Sequence, residues 1–251
     1  MIVVFLLIIL AVGFILGFIA GRLAGTANAA AHGWEFWNWL EKSEDKTGEP
    51  DARPAEEQGA AKIDKDSWQL KLVSEKHPLP EDYSPQLQEV EHGYRLDERA
   101  APALKDMLAA MRAQGLSPVI CSAYRTYGYQ AKLHDANIRK HQREGHALEA
   151  AKMLAVTEVA RPGHSEHNLG LAVDIVSESY QSLDEGYADT PEARWLRDNC
   201  HQYGFILRYP KEKQSVTGVT FEPWHFRYVG VEHAGAIMQG GLCLEEYLDE
   251  P

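Results

Sequence analysis

The 251-residue sequence predicts an α+β fold: a small, mostly antiparallel sheet flanked by helices and preceded by an N-terminal hydrophobic helix. Three observations predict it. Short apolar runs of strand length, such as PVICSA at 118–123 and LAVDIV at 171–176, interleave with stretches of helical spacing but lack a regular βαβ rhythm. A hydrophobic content of 45% is enough for the core of one domain of ordinary size plus appendages. An unbroken apolar stretch occupies residues 2–20.

Residues 2–20 carry no charged or strongly polar side chain and are long enough to cross a hydrocarbon layer of about 30 Å as a helix. Two readings fit: an uncleaved anchor, or a signal peptide cut near Ala27-Asn28-Ala29. The length of the run and the lack of Lys or Arg before it favour the anchor. Either way the chain is exported. GWEFWNWL at 33–40 concentrates aromatics, which suit a headgroup interface or docking onto the folded domain. Residues 41–62 contain no Val, Ile, Leu, Met or aromatic, so they cannot bury a core and read as a disordered spacer. The organisation expected is therefore 1–32 anchor or signal, 33–65 aromatic segment and acidic linker, and 66–251 folded domain.

Within the domain, residues 70–85 read as a short strand and a Pro-punctuated loop. Residues 97–115 read as a helix, with Leu104, Met107, Leu108 and Met111 at helical spacing and Gly115 as its stop. A buried strand at 118–123 leads into a long helical region at 128–160, whose polar face carries His134, His141 and His146, read as solvated. A strand begins at Leu171, a polar loop spans 177–190, and Pro191 opens a helix that Gly204 ends. Strands at 205–209 and 221–230 flank a charged hairpin loop at 211–218, and two closing helices follow at 231–239 and 242–248.

A net charge of −12, from 37 acidic and 25 basic residues, argues against nucleic acid as a partner. Cys121, Cys200 and Cys243 form no CxxC; their apolar surroundings suit small buried residues, an odd count fits a disulfide framework poorly, and the alternative is a Cys200–Cys243 disulfide outside the cell.

Chemistry concentrates in RPGHSEHNLGLAVDIV at 161–176. In strand alternation Leu171, Val173 and Ile175 share one face, and Ala172, Asp174 and Val176 the other. A carboxylate in so apolar a run needs a cation or donors. A metal ion would satisfy Asp174, with His167 supplying a nitrogen; a salt-bridged Asp174 and a His167 that only shapes a turn explain the same spacing. The strand at 221–230 adds Glu222, His225 and Arg227. His167, Asp174 and His225 together make a ligand set of the kind a catalytic zinc takes, with a position open for water. Glu222, three residues before His225 and held by Pro223, reads as a general base rather than a ligand; the alternative is a surface carboxylate paired with Arg227.

SAYRT at 122–126, PGHSEHNLGLAVDIV at 162–176, YGFILRYP at 203–210 and EPWHFRYVG at 222–230 resemble, in order, the motifs of the VanY-type zinc D-alanyl-D-alanine carboxypeptidases. HPLPEDYSP at 77–85 and CLEEYL at 243–248 extend the resemblance over about 70–248. It implies a LAS or hedgehog-like metallopeptidase domain with one zinc per chain on His167, Asp174 and His225, and Glu222 as general base. It implies that Arg125 stabilises the polarised carbonyl or holds the substrate carboxylate, and that Gln130 and Ser165 contact substrate. The expected protein is a monomeric cell-envelope enzyme, held at the membrane, that removes the terminal D-Ala from peptidoglycan stem peptides. Motifs around the metal do not separate this from an L,D-carboxypeptidase acting on tetrapeptides or a peptidoglycan endopeptidase, whereas the intact Glu222 and three ligands argue against a binding module on an inactive scaffold.

Overall fold

The computed structural model describes residues 64–249. The expected hydrophobic helix at 2–20, the aromatic segment and the spacer lie outside them. Among the described residues no helix is long and apolar enough to cross a membrane.

The described chain opens with a 3-10 turn, Trp68–Leu70, and then an extended stretch that joins no sheet, where a short strand was expected. The backbone carbonyls of Gln69 and Lys71 instead accept from the Arg227 guanidinium, at 2.9 Å each. A hairpin follows that the sequence reading did not anticipate: β1 (Leu87–Glu91) pairs with β2 (Tyr94–Asp97) across His92 and Gly93, both at positive φ. Helix α1 (Ala101–Ala113) buries Leu104, Met107, Leu108 and Met111, the face the spacing predicted.

Strand β3 (Pro118–Ser122) leads into α2 (Tyr127–Arg143), capped by the Thr126 hydroxyl, which accepts from the Tyr129 N–H. The expected continuous helical region is two helices, because Gly145 at φ 99° breaks it before α3 (Leu148–Glu158). His134 and His141 are buried rather than solvated; only His146 of the three is exposed. The single-turn α4 (Glu166–Leu169) precedes β4 (Ala172–Ser177), buried along its whole length.

Helix α5 (Pro191–Asn199) takes its cap from Thr190 and ends through a 3-10 turn at Gly204. A Cβ on Gly204 would lie 2.9 Å from the Tyr228 ring and 3.0 Å from the Gly230 carbonyl carbon, so only glycine lets this turn close on the last strand. β5 (Phe205–Leu207) and β6 (His225–Tyr228) are joined by a 3-10 turn and the short α6 (Gln214–Thr217). Residues 221–222 are irregular and 223–224 form a turn, so β6 is shorter than the strand expected at 221–230. α7 (Val231–Gly240) and α8 (Leu244–Tyr247) close the chain. Cys121, Cys200 and Cys243 are all free thiols; Cys200 and Cys243 are buried but unpaired with each other.

The four-stranded sheet has the order β3-β4-β6-β5, antiparallel throughout. The predicted α+β class, with small antiparallel sheets between helices, is what the structure has. Period-two alternation divides the sheet's duties. Val173, Ile175, Phe205 and Phe226 join α1 and Leu196 of α5 in the main core. The other face carries Asp174 directly opposite His225 and the small Ala172 opposite Arg227, so one register sets the Asp174–His225 pair beside the Arg227 guanidinium.

Candidate active site

His167 is placed by the turn around it. The Ser165 hydroxyl accepts from the His167 N–H at 3.3 Å and caps α4, and Gly170 at φ 83° ends that turn and launches β4. The His167 Nδ1 lies 2.7 Å from the Ala123 carbonyl. A carbonyl only accepts, so Nδ1 carries the proton and Nε2 presents its lone pair toward Asp174 Oδ2, 3.2 Å away. Burial first, and then the Arg125 charge, push the His167 imidazole down to about 4, so it stays neutral.

Asp174 is 2% exposed. Its Oδ2 accepts from Arg125 Nη2 at 2.9 Å, while Oδ1 lies 3.1 Å from His225 Nδ1. Burial opposes its ionisation, but His225 beside it overcomes that and holds the carboxyl well below its usual range. The His225 and His167 rings meet edge to face with centroids 4.9 Å apart. Glu222 Oε2 is 3.3 Å from His225 Nδ1, and burial pushes the Glu222 carboxyl up to about 7. The resulting cleft of about 740 Å³ is lined by the two histidines, Asp174, Glu222, Arg125 and Ser165.

The salt bridge weighed for Asp174 and its place in a metal-like cluster coexist: one oxygen meets Arg125, and the other has no hydrogen-bond partner. His167 Nε2 is likewise buried and unpartnered. His167, Asp174 and His225 each offer a ligand atom, all within 4.8 Å of one another. Orphaned buried lone pairs cost roughly 1–3 kcal/mol each. Two imidazoles and a carboxylate converging in this way fit a zinc ion, which would satisfy them.

The pairing weighed for Glu222 is absent. Arg227 donates instead to Glu166 Oε1 at 2.7 Å, which leaves Glu222 free to face the cleft. Arg125 donates from Nε to Ser122 Oγ at 2.8 Å and from Nη1 to Gln130 Oε1 at 3.1 Å, so one N–H on each Nη remains. Gln130 is fully buried, and its amide also donates to the Ala160 carbonyl at 2.7 Å. That geometry makes it a support for Arg125. Ser165 lies on the cleft wall with its hydroxyl engaged as the α4 cap.

Sequence reasoning missed the layer behind the histidines. Glu166 is buried and accepts from Arg208 Nε and Arg227 Nη1, both at 2.7 Å, while Arg208 binds Glu245 through two hydrogen bonds of 2.6 and 2.8 Å. The second Glu166 oxygen faces His225 Nε2 at 3.5 Å, so Glu166 orients the imidazole whose Nδ1 points into the site. Burial would raise the Glu166 carboxyl, but the two guanidinium groups hold it well below the usual carboxylate range. The Tyr209 ring, 4.9 Å from that of His225, packs against the same imidazole. A signal was present: Arg208 sits in the apolar run FILRYP, where a guanidinium needs a buried partner.

Comparison with known proteins identifies the family. The family model for VanY, D-alanyl-D-alanine carboxypeptidase, matches residues 93–231. A D-alanyl-D-alanine carboxypeptidase of Enterococcus faecalis is 44% identical over 196 residues, covering 78% of this chain and 69% of that protein. A structure of VanYB in complex with D-alanine-D-alanine superposes with a TM-score of 0.67 at 43% identity, covering 73% of this chain and 98% of that one. A mutant of the vancomycin resistance D,D-pentapeptidase VanY in complex with Zn(II) gives a TM-score of 0.66 at 43% identity, over 72% and 99% of the two chains. The chain belongs to the VanY D-alanyl-D-alanine carboxypeptidase family.

Proposed function

We propose that this protein is a zinc-dependent D-alanyl-D-alanine carboxypeptidase that removes the terminal D-Ala from peptidoglycan stem peptides at the outer face of the cell envelope. The observation that carries the reading is the convergence of His167, Asp174 and His225, with His167 Nε2 and one Asp174 oxygen buried and unpartnered, beside the Glu222 carboxylate. A zinc ion held there polarises a carbonyl and lowers the pKa of a water toward about 7.

The chain's own groups do the rest. Glu222, close to neutral pH in its affinity for a proton, takes one from the attacking water and returns it to the leaving amine. The two N–H groups left on Arg125 donate to substrate oxygens, the scissile carbonyl and the terminal carboxylate beyond it. The bonds to Ser122, Gln130 and Asp174 fix the guanidinium plane, so little order has to be gained when substrate arrives. Ser165, on the cleft wall beside His167, contacts the peptide; Gln130 acts through Arg125. Residues 2–20 anchor the domain, and the acidic segment at 41–62 lets it reach wall material above the membrane.

The test separates ligands from base. His167→Ala and Asp174→Ala should each lose one equivalent of zinc and all activity. Glu222→Gln should keep that zinc and lose activity by about 10²–10⁴-fold. Loss of zinc in Glu222→Gln would make Glu222 a ligand and overturn the assignment.

A further inference from the structure

A second group of metal-ligating side chains sits at the far end of α2. The helix closes with the Gly145 N–H bonded to the Gln142 carbonyl and the His146 N–H to the His141 carbonyl, each at 3.1 Å, with Glu144 as the cap residue. In this Schellman closure the residue after the glycine folds back over the third residue before the cap, and an apolar contact between the two usually seals it. Here both positions are histidines, their ring centroids 5.9 Å apart. His141, Glu144 and His146 each offer a ligand atom, all within 4.8 Å of one another.

The buried member is held from both sides. His141 is 5% exposed, with Nδ1 3.0 Å from Glu144 Oε2. Its Nε2 has no hydrogen-bond partner, although Glu158 Oε1, from the end of α3, lies 3.3 Å away. A carboxylate behind one ring nitrogen, with ligands gathered about the other, is how metal-bound imidazoles are oriented.

We propose that His141, Glu144 and His146 bind a second zinc ion, with open positions for water and with Glu158 orienting His141 from behind. Two imidazoles and one carboxylate suit zinc rather than calcium or magnesium, which favour all-oxygen sites. The site is remote in sequence from His167, and its argument does not rest on the catalytic reading. The other Glu158 oxygen accepts from Asn137 at 3.0 Å and Lys140 at 3.1 Å, and all three residues line the cleft. The second ion therefore pins the α2–α3 junction that forms one wall of the substrate cleft.

The test is zinc stoichiometry of the full-length chain, stripped of metal in detergent and dialysed to equilibrium against buffered free zinc. Wild type should bind two equivalents and His146→Ala one. His146 is exposed, so its replacement leaves the fold intact. His167→Ala reports the catalytic site separately and should also bind one, which the double variant loses. A single equivalent in wild type, or two in His146→Ala, would overturn the second site.

Discussion

Replacing Glu166 by Gln removes one negative charge from a pocket where two guanidinium groups depend on it. Arg208 keeps its two bonds to Glu245, but Arg227 is left with backbone carbonyls alone. Breaking a buried pair by removing one partner costs about 3–5 kcal/mol, and at roughly 2–4 °C per kcal/mol for a domain of this size the melting temperature should fall by about 6–20 °C. A purely structural role would stop there. Because the second Glu166 oxygen faces His225 Nε2, the change should also weaken zinc binding at the catalytic site by about 10–100-fold, the usual effect of losing a residue that orients a ligand. The two effects are separable by melting metal-free and zinc-loaded protein. The zinc-loaded form should lose more stability than the metal-free form, by about 1.4–2.7 kcal/mol, which is that affinity loss expressed as energy. Equal losses in both forms would show that Glu166 only packs the core. A loss below about 1 kcal/mol in both would refute the ion cluster as a source of stability.

The metal-free protein should take up zinc with release of a proton. Burial disfavours charged His225, but Asp174 and Glu166 overcome it and raise the imidazole to about 9, so at neutral pH the ligand nitrogen must first lose its proton. Affinity should climb about tenfold per pH unit up to about 9 and then level off; a flat profile between pH 7 and 9 would refute this. Full-length protein should sediment with membranes and keep its N-terminal sequence, whereas a terminus starting near Ala30 would favour signal cleavage.

The cluster of His167, Asp174 and His225, the proposed metal ligands, was legible because the sequence keeps these residues in two compact stretches whose strand alternation fixes which side chains share a face. Asp174 and His225 lie 51 positions apart but become direct cross-strand partners as soon as β4 and β6 pair. The ion cluster behind them was less legible. Glu166 adjoins His167 in sequence, yet its partners arrive from β6, from the strand end at Arg208 and from α8. The same reasoning that singled out Asp174 in an apolar run applies to Arg208, but it does not say which carboxylate will answer. The β1–β2 hairpin was hidden by polar strands, LQEVE and YRLD, that bury few side chains. The stretch LKLV at 70–73 alternates like a strand, but its Lys71 carbonyl goes to Arg227 instead of a ladder. In REGH, Gly145 was the overlooked signal that splits the long helical region.

The most direct measurement supplies three synthetic stem peptides to zinc-loaded enzyme and weighs the products by mass spectrometry: a pentapeptide ending in D-Ala-D-Ala, its C-terminally amidated form, and a tetrapeptide ending in a single D-Ala. The account predicts loss of one alanine from the pentapeptide, little or none from the tetrapeptide, and abolition by chelator with recovery on adding zinc. Amidation should slow the reaction by roughly 10–100-fold, since a hydrogen bond to a charged group is worth about 1.5–3 kcal/mol. Arg125→Lys should cost a similar factor while keeping zinc, because an ammonium cannot reproduce the planar fork. Preferential cleavage of the tetrapeptide would contradict the account in favour of an L,D-carboxypeptidase, and undiminished cleavage of the amidated peptide would contradict it in favour of an endopeptidase.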